Sequence, residues 1–277
     1  CGISQVISNS VSSSFQNAFN IPPLYSTVLL VALAAVIVLR KNASVKVLDV
    51  LVPIMAGCYF LITIFLLIKN AALLPSVFQR IFEEAFGIRQ VVAGGFGAVL
   101  MQGVKRGLFS NEAGMGSTPH AHALAKVKQP QDQGALAIIG VFVDTFVILT
   151  LTALVLITSG LIPEGMTGTA LTQAAFSLMF GSFGKVFIAI CMLFFAFSTI
   201  LGWYFFGQVN FNALFGSKYT KVYSLIVVLF ILIGSSLKVD LVWALADFFN
   251  GLMAVPNLLA LLALSGVVAG IARNKKD

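Results

Sequence analysis

The residues best equipped for chemistry in this 277-residue chain are gathered in one polar, glycine-rich stretch, GVKRGLFSNEAGMGSTPHAH at 103–122. It holds Lys105, Arg106, Asn111, Glu112 and both histidines of the chain, His120 and His122, although charged residues make up only 10% of the sequence. Asn111 carries a donor and an acceptor on one short side chain. Gly107, Gly114 and Gly116 permit backbone conformations outside the helix, and flanks at roughly 90–106 and 113–126 read as helix, both rich in small residues. Such a stretch is either an ordinary solvent loop or an unwound segment inside an apolar bundle. The second is tolerated within a membrane only where protein or a water-filled cavity satisfies the released N–H and C=O groups, and such segments hold solutes. The N-terminus of a second half-helix there would favour a carboxylate, with Phe109 as a wall. Either Lys105 or Arg106 pairs with Glu112 across the gap, or both extend into an outer vestibule. His120 and His122 are two apart, point to different faces and make a poor metal pair, so they read as structural.

A second constellation is FSTILGW at 197–203. Ser198 and Thr199 offer hydroxyl oxygens, whose plain alternative is back-bonding to their own helix. Thr199 and Trp203 are four apart and share a helical face, where an indole and a hydroxyl can close a small pocket or simply pack. Asp144 lies near the middle of an apolar run, and an ionisable group at that depth must face the bundle interior and find a partner. Asp240, Asp247, Asn250 and Asn257 in the last apolar run read as helix-end and packing groups.

The elements that must position these residues are long apolar runs. Hydrophobic residues are 59% of the chain and mean hydropathy is +1.00, well beyond the share of soluble domains. Several runs reach the roughly 20 residues that a spanning helix needs, so the fold class is an all-α polytopic membrane protein. Spans are predicted at 24–40, 47–69, 134–159, 186–207, 222–237 and 243–271, with a broken helix entering near 90 and leaving near 126. Residues 70–89 form an outer connection able to carry an amphipathic surface helix, and 160–182, with Pro163, Gly165 and Gly168, form another whose ALTQAAFSLMF is a short re-entrant or surface helix. Residues 272–277 form a cytoplasmic tail.

The basic residues set the expected orientation. With the first full span running inward, Arg40, Lys41, Lys46, Lys126, Lys128, Lys218, Lys221, Arg273, Lys275 and Lys276 are cytoplasmic, outnumbering Lys69, Arg80, Arg89, Lys185 and Lys238 outside; the positive-inside bias then puts the C-terminus in the cytoplasm. A net charge of +7 is scattered between the apolar runs with no basic face, which excludes a nucleic-acid partner. Cys1, Cys58 and Cys191 are unevenly spaced and indicate neither a disulfide framework nor a metal site.

GVKRGLFSNEAGMGS, the QG of Gln133 and Gly134, the DT of Asp144 and Thr145, PIMAGCY at 53–59, FFAFSTILGW at 194–203 and WALADFFNGLMAVPNL at 243–258 together resemble the alanine or glycine:cation symporter family. The resemblance runs almost from end to end. It implies an inverted-repeat, leucine transporter-like bundle shared by the amino acid, polyamine and organocation transporters, with residues 1–69 ending the first repeat and 90–271 forming the second. It implies sodium-coupled uptake of small neutral amino acids across a bacterial inner or plasma membrane, with no cofactor beyond the coupling ion. Carried over residue by residue, Gly107, Phe109 and Asn111 are expected substrate contacts, as are Thr199 and Trp203; Ser198 and Thr199 are expected sodium ligands, with a carbonyl one turn earlier near Phe195. The chain opens inside CGISQVISNSVSSSF with neither initiator Met nor signal peptide, and in the family's register it is a fragment lacking the first helices. In that register Asn9 matches an asparagine of the family and is expected to touch substrate, its other reading being a helix-packing amide, while Ile7 stands where glutamine is expected. Half of the ion site, in the absent opening helix, is then missing from these residues. Proton coupling remains an alternative to sodium. A channel would want a continuous polar stripe or charged rings, and a membrane enzyme would use His120 or His122 as base.

Overall fold

The structure, a computed structural model, describes residues 2–39, 44–86, 95–161 and 166–273. The assigned elements are helical: α1 (Gly2–Phe19), α2 (Pro23–Leu39), α3 (Ser44–Lys69), α4 (Leu74–Phe86), α5 (Gly95–Asn111), α6 (Pro119–His122), α7 (Pro130–Phe142), a π-helical turn (Val143–Ile148), α8 (Leu149–Thr158), α9 (Gly168–Phe180), α10 (Ser182–Phe215), α11 (Thr220–Ser236) and α12 (Val239–Arg273). Cys1, Arg40, Lys41, Arg89, Pro163, Gly165, Lys275, Lys276 and the predicted entry to the broken helix near residue 90 lie outside the described residues.

Among the described residues, five helical stretches are long and apolar enough to cross a membrane: Val52–Lys69, Pro130–Thr158, Ser182–Phe215, Ser217–Ser236 and Val239–Ile271, with a shorter apolar stretch at Pro23–Ala35. Their leucines, valines and phenylalanines largely face outward, Leu61 66% exposed and Leu262 73%. That pattern is costly in water and favourable in hydrocarbon. The predicted spans coincide with these helices, α12 (Val239–Arg273) closely matching 243–271 while α10 (Ser182–Phe215) extends well past 186–207. At 1.5 Å per residue the 34 residues of α10 run about 50 Å, beyond the roughly 30 Å of a hydrocarbon core. Polar ends such as Gln208 and Asn212 are simply carried on as helix, until Gly216 (φ +86°) releases the chain.

The chain divides into two compact units, Cys1–Ile81 with Leu151–Ala246, and Phe82–Thr150 with Asp247–Asp277. At the centre of the first is α1. It packs against α2, α9, α10 and α11 and buries Ser4, Gln5, Ser8, Asn9, Ser12 and Ser14 beside Val6 and Val11. Small residues let helices approach closely without a hydrophobic force between them. The serine hydroxyls stay satisfied within the helix, Ser12 donating to the Ser8 carbonyl (2.8 Å) and Ser14 to that of Val11 (2.9 Å). On α11, Gly234 packs on Gln5 and Ser8 with no room for a Cβ.

Of the two readings of ALTQAAFSLMF within 160–182, the surface helix is set aside, since α9 is buried: Gln173 is 2% exposed and Phe176 fully buried. Gln173 Nε2 donates to the carbonyls of Ser14 (2.9 Å) and Lys185 (3.1 Å), and its Oε1 accepts from Asn17 (3.3 Å). One amide thus ties together three helices, because a buried polar group must be hydrogen-bonded. The amphipathic helix expected within 70–89 forms as α4, with Val77 buried and Arg80, Glu83 and Glu84 outward.

Candidate functional site

In the second unit, α5 carries the polar stretch up to Asn111 and stops there. Glu112 (φ +56°), Gly114 (φ +87°) and Gly116 (φ +81°) take left-handed conformations, which end a helix by turning its carbonyls away. Helix resumes only as α6, four residues opened by Pro119, so the predicted second flank of 113–126 is corrected to a single turn. Three left-handed residues within five, followed by proline, leave too short a run for the ladder to restart. A helix this brief offers little dipole to a carboxylate, and the released backbone itself is what the stretch presents.

The side chains before and inside that segment are tied in place. Asn111 Oδ1 accepts from the Ala113 N–H (2.9 Å), closing an Asx turn over the first released residues. Asn111 Nδ2 donates to Thr145 Oγ1 (2.9 Å). Its neighbour Ser110 donates to both carboxylate oxygens of Asp144, at 3.0 and 2.8 Å. This supplies the partner for Asp144 that the sequence left unnamed. Two consecutive residues of α5 therefore bond two consecutive residues of the facing helix. In a regular α-helix adjacent side chains diverge by about 100°; here Asp144 and Thr145 sit in the π-helical turn Val143–Ile148, which widens the helix and turns both toward α5, a distortion frequent at functional sites.

Helix α12 meets the segment from another side. Arg106 Nη2 bonds both oxygens of Asp247, at 2.9 and 2.7 Å, an ion pair between α5 and α12, and Glu112 accepts from the Ser117 hydroxyl at 2.6 Å. Asn257 Nδ2 donates to the Gly114 carbonyl at 2.8 Å. Between α5, the segment and α12 lies a cavity of about 370 Å³ lined by Lys105, Phe109, Met115, Asp247, Asn250 and Leu258 among others. Of the predicted substrate contacts in this unit, Phe109 lines the cavity, Gly107 lies one turn before the end of α5, and Asn111 sits at that end. Gln133 donates to His122 Nδ1 at 2.6 Å, consistent with a structural histidine.

In the first unit, Ser198 and Thr199 both donate to the Phe195 carbonyl, at 2.9 and 2.8 Å. This is the back-bonding alternative; each hydroxyl spends its one hydrogen on it and keeps its lone pairs. Trp203 lies one turn further along α10 and meets Phe206 edge-on, ring centroids 5.8 Å apart. Asn9 is 9% exposed and donates to the carbonyls of Leu237 (2.8 Å) and Gly234 (3.3 Å) at the end of α11. Its amide does packing work in this unit.

Sequence reasoning passed over Ser110, took Thr145 only as part of the family motif, and read Asp247 and Asn257 as helix-end and packing groups. The signal for Arg106–Asp247 was there, two opposite charges in a chain that is only 10% charged, but nothing in spacing pairs residues 141 apart. A π turn leaves no periodic trace at all.

The profile of the sodium:alanine symporter family matches residues 1–276. The amino-acid carrier protein AlsT of Bacillus subtilis is 39% identical over 95% of this chain and 57% of its own length. A probable sodium/glutamine symporter of the same organism, GlnT, is 41% identical over 95% of this chain and 56% of its own. The sodium/alanine symporter AgcS of Methanococcus maripaludis is 38% identical over 96% and 60%. The chain thus spans little more than half the length of these relatives. With the whole-length profile match and these identities, the chain belongs to the sodium:alanine symporter family.

Proposed function

We propose that the protein to which this chain belongs is a sodium-coupled symporter of small neutral amino acids, alanine or glycine, working by alternating access on an inverted-repeat bundle. The observation that carries this reading is the break after Asn111, where three left-handed residues release the backbone while Asn111, Ser110 and Asp144 hold its entry fixed. A pre-formed set of backbone and amide groups in an apolar surround is what a zwitterionic solute needs in place of its water. The proposed substrate contacts are Gly107, Phe109 and Asn111 in the second unit and Thr199 and Trp203 in the first. The sodium ligands proposed are the Ser198 and Thr199 hydroxyl oxygens, neutral and hard, whose hydrogens are spent on the Phe195 carbonyl and whose lone pairs are left for a cation. Asn9 Nδ2 bonds the carbonyls of Gly234 and Leu237, so the proposed contact of Asn9 with substrate is through its Oδ1. The relatives named for sodium with alanine or glutamine support an uncharged amino acid as the class, and the one named for alanine supports a small one.

The test is uptake of labelled alanine by the full-length protein in proteoliposomes, with an inward sodium gradient, an inward proton gradient, or neither. Accumulation driven by sodium alone is expected. Accumulation driven by protons alone moves the reading to the proton-coupled alternative, and equal flux under all three conditions removes coupled transport.

A further inference from the structure

The released segment needs more than glycine to hold one shape, and the groups that could do so lie on α12. Inside a membrane each bare carbonyl of such a segment must find a donor. The Gly114 carbonyl finds it in Asn257 Nδ2, 2.8 Å away across 143 residues of sequence. The same amide presses on Gly116: a Cβ there would lie 2.9 Å from Asn257 Oδ1 and 3.0 Å from its Cγ. Glycine at 116 is therefore required twice, by its φ of +81° and by the seat of this side chain. Three helical turns earlier on α12, Asp247 grips Arg106, the residue five places before the helix ends. The segment is held at its entrance from α5 and in its middle from Asn257.

We propose that Asn257 is a positioning residue for substrate binding, fixing the backbone of residues 112–118 in the shape that receives the amino acid. The inference rests on the symport reading for its substrate and on geometry alone for the tether. Pro256, immediately before it, lacks an N–H and so deprives the Leu252 carbonyl of its helical donor. Asn257 thus acts from a turn of α12 already loosened from its own ladder.

The experiment uses the full-length protein with Asn257→Asp, which keeps the shape but replaces the donor by an oxygen facing the Gly114 carbonyl, and Asn257→Leu, which removes the donor without adding charge. Hydrogen exchange followed by mass spectrometry is expected to show faster exchange in both variants, confined to the peptide covering residues 112–118. Alanine uptake is expected to show a KM raised roughly fivefold, the equivalent of one lost hydrogen bond, while the sodium midpoint for thermal stabilisation without alanine stays at the wild-type value. A merely structural role would move that midpoint and the melting temperature together, and would overturn the proposal. So would wild-type exchange rates in both variants. If the unmodified protein takes up no alanine under a sodium gradient, the symport reading falls, and the exchange measurement still decides the tether.

Discussion

Replacing Asn111 separates two roles that one side chain combines. Its Oδ1 closes the turn on the Ala113 N–H and its Nδ2 bonds Thr145, both at 2.9 Å. Asn111→Ala removes both bonds. At about 1 kcal/mol for each, the unit should lose about 2 kcal/mol of stability, and a further substrate hydrogen bond lost would weaken alanine roughly fivefold. Asn111→Asp behaves differently. The new carboxylate still accepts from Ala113, and the Thr145 hydroxyl reverses to donate to it, so stability should stay near that of the unmodified protein. A substrate carboxylate arriving within about 4 Å would instead meet a like charge, worth about 4 kcal/mol at an effective dielectric of 20, or nearly a thousandfold in Kd. The two variants are therefore expected in opposite orders, alanine substitution the less stable and aspartate substitution the weaker binder. Thermal denaturation in detergent gives the first order and equilibrium binding of labelled alanine at saturating sodium the second. Equal alanine affinity in Asn111→Asp and the unmodified protein would refute the idea that the substrate carboxylate approaches this end of α5.

The remaining expectations rest on other contacts. Asp144→Asn keeps an oxygen to accept from Ser110, so its melting temperature should stay close to that of the unmodified protein, whereas Asp144→Val leaves that hydroxyl unmatched at a cost of about 1–3 kcal/mol; thermal denaturation of both variants checks this. Ser198→Ala with Thr199→Val, which strips the two oxygens around Phe195, should raise the sodium midpoint of uptake more than it weakens alanine binding at saturating sodium, and an unchanged midpoint would take the ion off α10. Trp203→Ala should admit larger side chains only partly, since apolar bulk alters discrimination by about 1–3 kcal/mol per methylene; competition by leucine against labelled alanine measures it.

What the sequence made legible follows from range. Long apolar runs specify spans through local composition, and α2, α3, α7 with α8, α10, α11 and α12 all lie where such runs do. The left-handed glycines at 114 and 116 were legible for the same local reason. The extent of α6 was not, because small residues at 113–126 satisfy helix propensity on paper while three left-handed positions and Pro119 break the ladder. The burial of α1 was missed because its serines lower hydropathy; their value lies in close approach to α10 and α11, which depends on partners remote in sequence. Asp144 was visible as an anomaly and Ser110 was not, since a serine is unremarkable until a carboxylate faces it.

The polar groups of the second unit also answer why the break can exist in so apolar a chain. Left alone, Arg106, Asp144, Asp247 and the open Gly114 carbonyl would each be costly in hydrocarbon. Here charge meets charge in Arg106–Asp247, carboxylate meets hydroxyl in Asp144–Ser110, and carbonyl meets amide in Gly114–Asn257. Each pair joins residues from different stretches of chain, so none forms until α5 has met α12 or the π turn. Breaking one partner leaves the other unmatched, a larger loss than the bond itself contributes. The network therefore favours one arrangement of these helices over near alternatives, and places its strain at Glu112, the one non-glycine residue of the segment in left-handed geometry (φ +56°). The Ser117 hydroxyl bound to that carboxylate at 2.6 Å holds the conformation.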